Sequence, residues 1–185
     1  MRTSVYIATS LDGFIARTDG NLDWLDQANA TVPEGEDFGF SAFMDSVDAL
    51  IMGRKTFDQV MTFGQWPYGE KPVIVLSRNP LEIPAQLTSQ VRVSAESPAD
   101  LHAHCQSAGY QRVYVDGGLT IRRFLQAGLV TDLTLTVIPD LLGSGIRIFT
   151  EDAQDISLVL QSSHAAENGF VQLKYLTQKH VEDGQ

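Results

Sequence analysis

The chain has 185 residues, of which 43% are apolar, and a formal net charge of −10. This length is sufficient for one domain that buries most of its apolar surface, so we expect residues 1–185 to form a single domain. The acidic balance argues against nucleic acid or an anionic membrane as the main partner, and no apolar run is long enough for a membrane span. The single cysteine, Cys105, and an N-terminus without a signal-peptide pattern predict a cytoplasmic protein.

Short apolar runs alternate with helical patterns along most of the chain. We predict strands at 4–9, 49–52, 73–76, 91–93, 112–115 and 132–138, and helices at 37–46, 55–61, 97–107 and 120–126. Two more strands, 156–162 and 169–176, are predicted to form a closing antiparallel pair around an Asn168-Gly169 turn. This order is typical of an α/β sheet that is parallel in the middle and antiparallel at one end.

Three of the predicted strands end in segments that are suited to phosphate groups. In chain order, these segments are Gly53-Arg54-Lys55-Thr56, Ser77-Arg78 and Gly117-Gly118-Leu119-Thr120. Adjacent glycines let the backbone approach a ligand, and a helix start offers free N–H groups to an anion. Because ligands of open α/β sheets lie outside the carboxyl ends of the strands, we expect the three segments to meet at one edge.

Each segment also has a simpler interpretation. The first can be a turn with solvated charges and a helix cap, the second a plain loop, and the glycine pair a strand–helix turn that binds nothing. None of them is a Walker A loop or a Gly-x-Gly-x-x-Gly fingerprint, so neither a P-loop NTPase nor a Rossmann domain is supported. The sequence also contains no metal-binding or zinc-deaminase motif.

Together, residues 51–57, 73–78 and 115–118 resemble the three NADPH-binding segments of the dihydrofolate reductase fold. Residues 8–16, Ala-Thr-Ser-Leu-Asp-Gly-Phe-Ile-Ala, and 137–145, Val-Ile-Pro-Asp-Leu-Leu-Gly-Ser-Gly, are more similar to one branch of it. That branch comprises the reductase domain at the C-terminal end of the bacterial bifunctional riboflavin-biosynthesis deaminase–reductase, and its stand-alone relatives. The resemblance implies a three-layer α/β fold with helices on both faces of a mixed, mostly parallel sheet and a C-terminal antiparallel hairpin.

The resemblance also implies which residues hold NADPH. Ala8 and Ile15 match positions that meet the nicotinamide carboxamide, and Ser77 and Arg78 match the 2′-phosphate end. Arg54 and Thr56 match positions that contact the pyrophosphate and 2′-phosphate groups, and Gly53 and Lys55 belong to the same cofactor segment. Gly117, Gly118, Leu119 and Thr120 match the pyrophosphate loop. Dihydrofolate reductases have a non-proline cis peptide bond in the glycine turn. Asp116 takes a place where they often have glycine, so that bond stays open here.

The activity implied is direct hydride transfer from NADPH to a small pyrimidine or pteridine, in a homodimer. Asp37 and Thr136 match the substrate-side carboxylate and hydroxyl. Asp37 can equally be an acidic residue in the first turn of the helix that follows it, and Thr136 can equally be a packing residue. Trp24 and Trp66 can wall a planar ring or anchor their loops to the core.

Two other functions stay open from the sequence. The chain can be a dihydrofolate reductase proper, or a non-enzymatic nucleotide-binding dimeric module that keeps the cofactor cleft and lacks substrate chemistry. The family substrate nearest to the main hypothesis is a pyrimidine with a phosphoribosylamino group, whose sugar is reduced to the ribityl form.

Overall fold

The computed structural model describes residues 1–150 and 155–178. Its ten strands are β1 Arg2–Ser10, β2 Phe14–Ala16, β3 Ala49–Gly53, β4 Val73–Leu76, β5 Val91–Ser94, β6 Arg112–Asp116, β7 Asp132–Ile138, β8 Ile146–Arg147, β9 Leu158–Ala165 and β10 Val171–Thr177. Its five α-helices are α1 Asp23–Asn29, α2 Phe40–Asp45, α3 Arg54–Met61, α4 Pro98–Ser107 and α5 Gly118–Gln126, with a short 3-10 helix at Ala85–Leu87.

Eight of the strands form one sheet in the order β5-β4-β3-β6-β1-β7-β10-β9. The six strands from β5 to β7 are parallel, and β10 and β9 are added antiparallel. Residues 49–52 of β3 are buried on both faces of the sheet, as is typical of a central parallel strand. β2 and β8 form a separate two-stranded sheet. The predicted α/β class, with a mostly parallel sheet and a C-terminal antiparallel hairpin, is confirmed.

Apolar clusters cover both faces of the sheet. On one face, α4 and α5 contribute Leu101, Ile121 and Phe124 to a fully buried cluster. On the other face, Phe43 of α2 and Phe57 of α3 pack against the strands. The layers are therefore helix, sheet and helix, as the resemblance implied. None of the helices in the described ranges is long and apolar enough to cross a membrane.

Tertiary contacts create elements that the sequence pattern does not predict. Helix α1 buries only Trp24 and Ala28, which is too little for a visible helical period. β2 and β8 have three and two residues, and each is a strand only because it pairs with the other. Helix α2 begins at Phe40 and not at residue 37, because Phe38 and Gly39 have φ angles of 56° and 81°, which are left-handed.

Candidate functional site

The three segments predicted for the cofactor lie at one edge of the sheet. β4, β3 and β6 are parallel neighbours, with Gly53 opposite Leu76 and Met52 opposite Asp116. The residues that follow each strand, starting at Ser77, Arg54 and Gly117, are therefore brought to the same carboxyl edge. Sequence spacing alone does not establish this adjacency, and the sheet order does.

The side chain of Arg54 contacts the loop that contains the second segment. The guanidinium of Arg54 donates from Nη1 to the Pro80 carbonyl at 3.2 Å, which links the start of α3 to the loop after β4. Arg54, Lys55 and Arg78 are all exposed there. Three cations thus lie close together on an otherwise acidic chain, two at the start of α3 and one in the loop after β4. Guanidinium groups bind phosphate oxygens well.

Close packing joins the first segment to the third. Gly117 has φ 88°, and a Cβ placed on it would lie 2.1 Å from Oγ1 of Thr56. A Cβ on Gly53 would lie 3.0 Å from Oγ1 of the buried Thr120. Gly117 therefore needs glycine, whereas a side chain at Gly53 would require the Thr120 hydroxyl to move by a few tenths of an ångström. The glycine at position 117 lets the first and third segments pack against each other.

Gly118 begins helix α5, and the next residue, Leu119, is exposed. Every peptide bond of residues 1–150 and 155–178 is trans, so the bond left open at Asp116–Gly117 is trans as well. The turn is made instead by the positive φ of Gly117. A Cβ on Gly118 would lie 2.8 Å from Cδ1 of Ile15, so the residue expected at the nicotinamide carboxamide touches the pyrophosphate loop.

Asp12 ties the loop before Ile15 to a second loop. Its carboxylate accepts hydrogen bonds from the Ser10 hydroxyl at 2.6 Å, from the Leu142 amide at 3.2 Å and from the Gly143 amide at 2.7 Å. These bonds hold the pKa of Asp12 below its usual value, the Ser10 hydroxyl having the largest effect. The two motifs most specific to the resemblance, Ser-Leu-Asp-Gly and Pro-x-Leu-Leu-Gly-x-Gly, are therefore physically in contact.

Arg147 continues this connection toward the glycine turn. Its Nη1 donates to the Asp12 carbonyl at 3.1 Å, and its guanidinium lies 4.4 Å from the ring centre of Phe14. Its own carbonyl accepts from Nη1 of Arg122 on α5 at 2.7 Å. The two loops, the β2–β8 sheet and the start of α5 thus form one bonded unit.

The substrate-side prediction Thr136 lies in a row with the cofactor-side prediction Ala8. Register pairs Ala8 of β1 with Thr136 of β7, and Thr136 with Gln172 of β10. Thr136 is buried, and its hydroxyl accepts from Nε2 of Gln172 at 3.3 Å. Gln172 is also buried, and no sequence signal distinguished it from an ordinary strand residue.

Asp37 is exposed, and its side chain caps α2. Its carboxylate accepts from the Gly39 amide at 2.7 Å and the Ser41 amide at 2.9 Å. Hydrogen bonds from Ser41 and Gly39 hold its pKa below the usual value. This is the helix-capping role that the sequence left open beside the substrate role. The adjacent Phe38 carbonyl, however, points to β1 and accepts from the Tyr6 hydroxyl at 2.8 Å.

Asp116 is a functional candidate that the sequence reasoning did not assign. It is half-buried at the end of β6, and burial raises its pKa to about 6. The Gly117 amide donates to its Oδ1 at 2.7 Å, and the Tyr114 hydroxyl lies close to its carboxyl group. The pKa of Tyr68 is raised mainly by burial and to a smaller extent by the charge of Asp116. The sequence signal for Asp116 is its position directly before the Gly117-Gly118 pair.

Aromatic rings cluster near the predicted substrate residue Asp37. The Tyr6 ring lies 5.3 Å from that of Phe40 and 4.9 Å from that of Phe43, measured between ring centres. Trp24 is buried beside Ala8 and Phe38, while Trp66 packs on Phe57 and Tyr68. Both tryptophans thus pack against core residues, and within the described ranges both indole N–H groups are buried without a hydrogen-bond partner.

Within residues 1–150 and 155–178, no three His, Cys, Asp or Glu side chains form a group that could hold a metal ion.

Comparison with solved structures shows which proteins share this fold. A protein described as a riboflavin biosynthesis protein of Shewanella sp. PV-4 superposes with a TM-score of 0.89 at 38% identity, over 96% of this chain and 99% of its own. The deaminase/5-amino-6-(5-phosphoribosylamino)uracil reductase of Thermotoga maritima gives 0.70 at 12% identity, over 95% of this chain and 56% of its own. A dihydrofolate reductase of Enterococcus faecalis gives 0.61 at 17% identity, over 96% of each chain.

The latter two similarities show a dihydrofolate reductase-like fold. The family described as RibD C-terminal domain matches residues 4–172, which include all the segments described above. The chain therefore belongs to the RibD C-terminal domain family.

Proposed function

We propose that this protein is an NADPH-dependent reductase of a pyrimidine that carries a phosphoribosylamino group, similar in activity to 5-amino-6-(5-phosphoribosylamino)uracil reductase. The observation that carries the proposal is the meeting of Gly53, Ser77 and Gly117 at one edge of the sheet, with Ala8 on the strand beside it. Family membership and the Shewanella relative support a reductase-like function of the riboflavin pathway.

The cofactor side supplies complementary charge and a tight backbone surface. Arg54, Lys55 and Arg78 are exposed cations for the phosphate groups, and the start of α5 at Gly118 offers backbone N–H groups to the pyrophosphate. NADPH, when bound, supplies the hydride from C4 of its nicotinamide ring. Ala8 and Ile15 would orient that ring, and Asp12 would hold the loop that contains Ile15 in place.

The substrate side needs a proton as well as a hydride. When an open-chain imine is reduced, the hydride goes to carbon and a proton goes to nitrogen. Asp116 is our candidate for the proton donor. It is two residues from Tyr114 on the same face of β6, and the Tyr114 hydroxyl bonds the Tyr6 carbonyl on β1 at 2.8 Å. A carboxyl group whose pKa is about 6 keeps a fraction of its protons near neutral pH.

Thr136 and Asp37 are proposed to contact the substrate ring. Thr136 presents its hydroxyl from the row that contains Ala8. The Asp37 carboxylate already accepts from the amides of Gly39 and Ser41 and is exposed, so we assign it the weaker role of the two.

Cofactor binding and turnover test the proposal separately. We expect NADPH to raise the thermal unfolding midpoint more than NADH does, because only NADPH carries the 2′-phosphate that Ser77 and Arg78 are proposed to bind. We also expect NADPH absorbance to fall when 5-amino-6-(5-phosphoribosylamino)uracil is added. No thermal shift with millimolar NADPH would contradict the proposal. Turnover of dihydrofolate instead would select a dihydrofolate reductase, and binding without turnover would select the non-enzymatic module.

A further inference from the structure

Phe38 has a backbone conformation that its side chain disfavours. It is the one non-glycine residue with positive φ in the described ranges, at 56°, and Gly39 follows at 81°. A bulky residue rarely adopts this region, and strain of this kind persists only where surrounding contacts impose it. The segment 37–39 immediately precedes α2 and contains Asp37, the carboxylate that the resemblance assigns to the substrate.

Two side chains from the sheet impose this conformation. The Phe38 carbonyl accepts from the Tyr6 hydroxyl at 2.8 Å and from Nε2 of Gln172 at 3.1 Å. Nε2 of Gln172 also lies 2.9 Å from the Tyr6 hydroxyl. The Phe38 ring is stacked on that of Phe170, with 5.5 Å between ring centres. We call the hydrogen-bonded set of Tyr6, Gln172 and the Phe38 carbonyl the carbonyl clamp.

The clamp connects three neighbouring strands at the level of the proposed site. Tyr6 lies on β1 and Gln172 on β10, and Thr136 of β7 lies between these two strands. Register pairs Thr136 with both Ala8 and Gln172. Gln172 is 5% exposed, and a buried amide is costly unless it is hydrogen-bonded. An apolar side chain would fill this position without that cost, so the amide indicates that a particular arrangement of the chain is being held.

We propose that Gln172 is a positioning residue for the substrate side. Through the Phe38 carbonyl it fixes the segment 37–39 against β1. It thereby sets the position of the Asp37 carboxylate and of the Phe40 ring, which is 39% exposed and 5.3 Å from the Tyr6 ring. The hydrogen bonds of Gln172 go to Tyr6, Phe38 and Thr136, which lie outside the three segments proposed for the cofactor. The positioning role rests on the proposed function, because it needs the proposed substrate. The hydrogen bonds of the carbonyl clamp do not depend on that function.

The first test measures the clamp directly by hydrogen–deuterium exchange. Gln172→Met removes the amide and keeps the length of the side chain. Gln161→Met on exposed β9 is the matched control, since the Gln161 amide bonds only the nearby Val159 carbonyl. We expect the amides of residues 38–41 to exchange roughly tenfold faster in Gln172→Met and unchanged in the control. Tyr6→Phe, which removes one hydroxyl, is expected to act in the same direction and serves if Gln172→Met does not fold.

The second test uses steady-state kinetics with NADPH and 5-amino-6-(5-phosphoribosylamino)uracil. We expect the KM for the pyrimidine to rise roughly tenfold in Gln172→Met, with kcat changed far less and the Kd for NADPH unchanged. In the double variant with Tyr6→Phe the two effects should not multiply, because both act through one carbonyl. A general loss of stability would instead lower activity and weaken the binding of the pyrimidine and of NADPH together.

The outcomes separate this proposal from the proposed function. Equal exchange of residues 38–41 in Gln172→Met, Tyr6→Phe and the control would overturn the clamp. Faster exchange with an unchanged KM would overturn the positioning role. If the wild-type protein does not reduce the pyrimidine, the proposed function fails, and the exchange result alone decides whether the clamp exists.

Discussion

Asp116 is the residue that we propose as the proton donor. It is half-buried at the end of β6, and this desolvation raises its pKa to about 6. This value lies between those of an ordinary carboxyl group and of histidine, which is the range in which a side chain both holds and releases a proton near neutral pH.

The pH dependence of the reaction tests this role. If Asp116 donates the proton, kcat/KM should fall as pH rises through about 6, because the carboxyl group then loses its proton. Asp116→Asn keeps the shape of the side chain and cannot donate in the same way. We expect it to lower kcat/KM roughly a hundredfold and to remove the pH dependence in this range. An unchanged pH profile in Asp116→Asn would exclude Asp116 as the donor.

The same residue predicts a change of stability with pH. Its pKa is 3.8 in the unfolded chain and about 6 in the folded protein, so the folded state binds the proton more tightly. The stability that this provides is complete below pH 3.8 and is lost as pH rises through about 6. As pH rises through this range, the free energy of unfolding of the wild type should therefore fall, relative to that of Asp116→Asn, by up to about 3 kcal/mol. Urea unfolding on both sides of this range measures the difference, which should be absent if Asp116 is solvated.

Gly117 tests whether close packing at the turn matters for the cofactor. Gly117 and Gly109 have nearly equal φ angles of 88° and 86°, but an added Cβ meets Thr56 at 2.1 Å in the first and nothing within 4 Å in the second. We expect Gly109→Ala to cost about 1–2 kcal/mol for the backbone alone. Gly117→Ala should cost more, because Gly117 has ψ 132°, outside the left-handed helical region, and because overpacking adds roughly 1–3 kcal/mol. It should also weaken NADPH binding, which Gly109→Ala should leave unchanged, as thermal unfolding and NADPH titration would show.

At the scale of elements, the loop that contains Asp12 is held by contacts outside itself. Asp12→Ala removes the carboxylate that accepts from Leu142 and Gly143. Ile15 then needs to be ordered when the cofactor binds, so we expect the Kd for NADPH to rise roughly tenfold. Asp19→Ala is the control, because Asp19 accepts from the Asn21 amide within its own turn. Equal NADPH affinity in both variants would show that the loop needs no tether.

The strands and most helices were predictable, because a buried strand and an amphipathic helix each carry a periodic apolar pattern. The same reasoning did not find α1 or the β2–β8 sheet, which are too short for a period. It also placed the start of α2 three residues early, since nothing in the local pattern shows that Phe38 is held in a left-handed conformation by Tyr6 and Gln172.

At the scale of the whole molecule, strand β9 is an exposed apolar edge. Leu158, Val159 and Leu160 are 38%, 37% and 52% exposed, on the last strand of the sheet. An apolar edge strand tends to pair or to be covered, and the resemblance implies a homodimer. We therefore expect sedimentation equilibrium to give twice the chain mass, and Leu160→Lys to shift the protein toward the monomer. A monomeric wild type at micromolar concentration would contradict the dimer.

The sequence by itself determined the fold class and the three segments proposed for NADPH, because glycines, strand patterns and short motifs are local properties of the chain. It also determined the family resemblance, which residues 4–172 support. Only the tertiary structure decided which side chains meet. Neither the burial that raises the pKa of Asp116 nor the contact of Gln172 with Phe38, 134 residues away in the chain, leaves a trace in the local sequence. Burial and long-range hydrogen bonds depend on packing between elements, and that packing distinguishes the reacting groups from the scaffold.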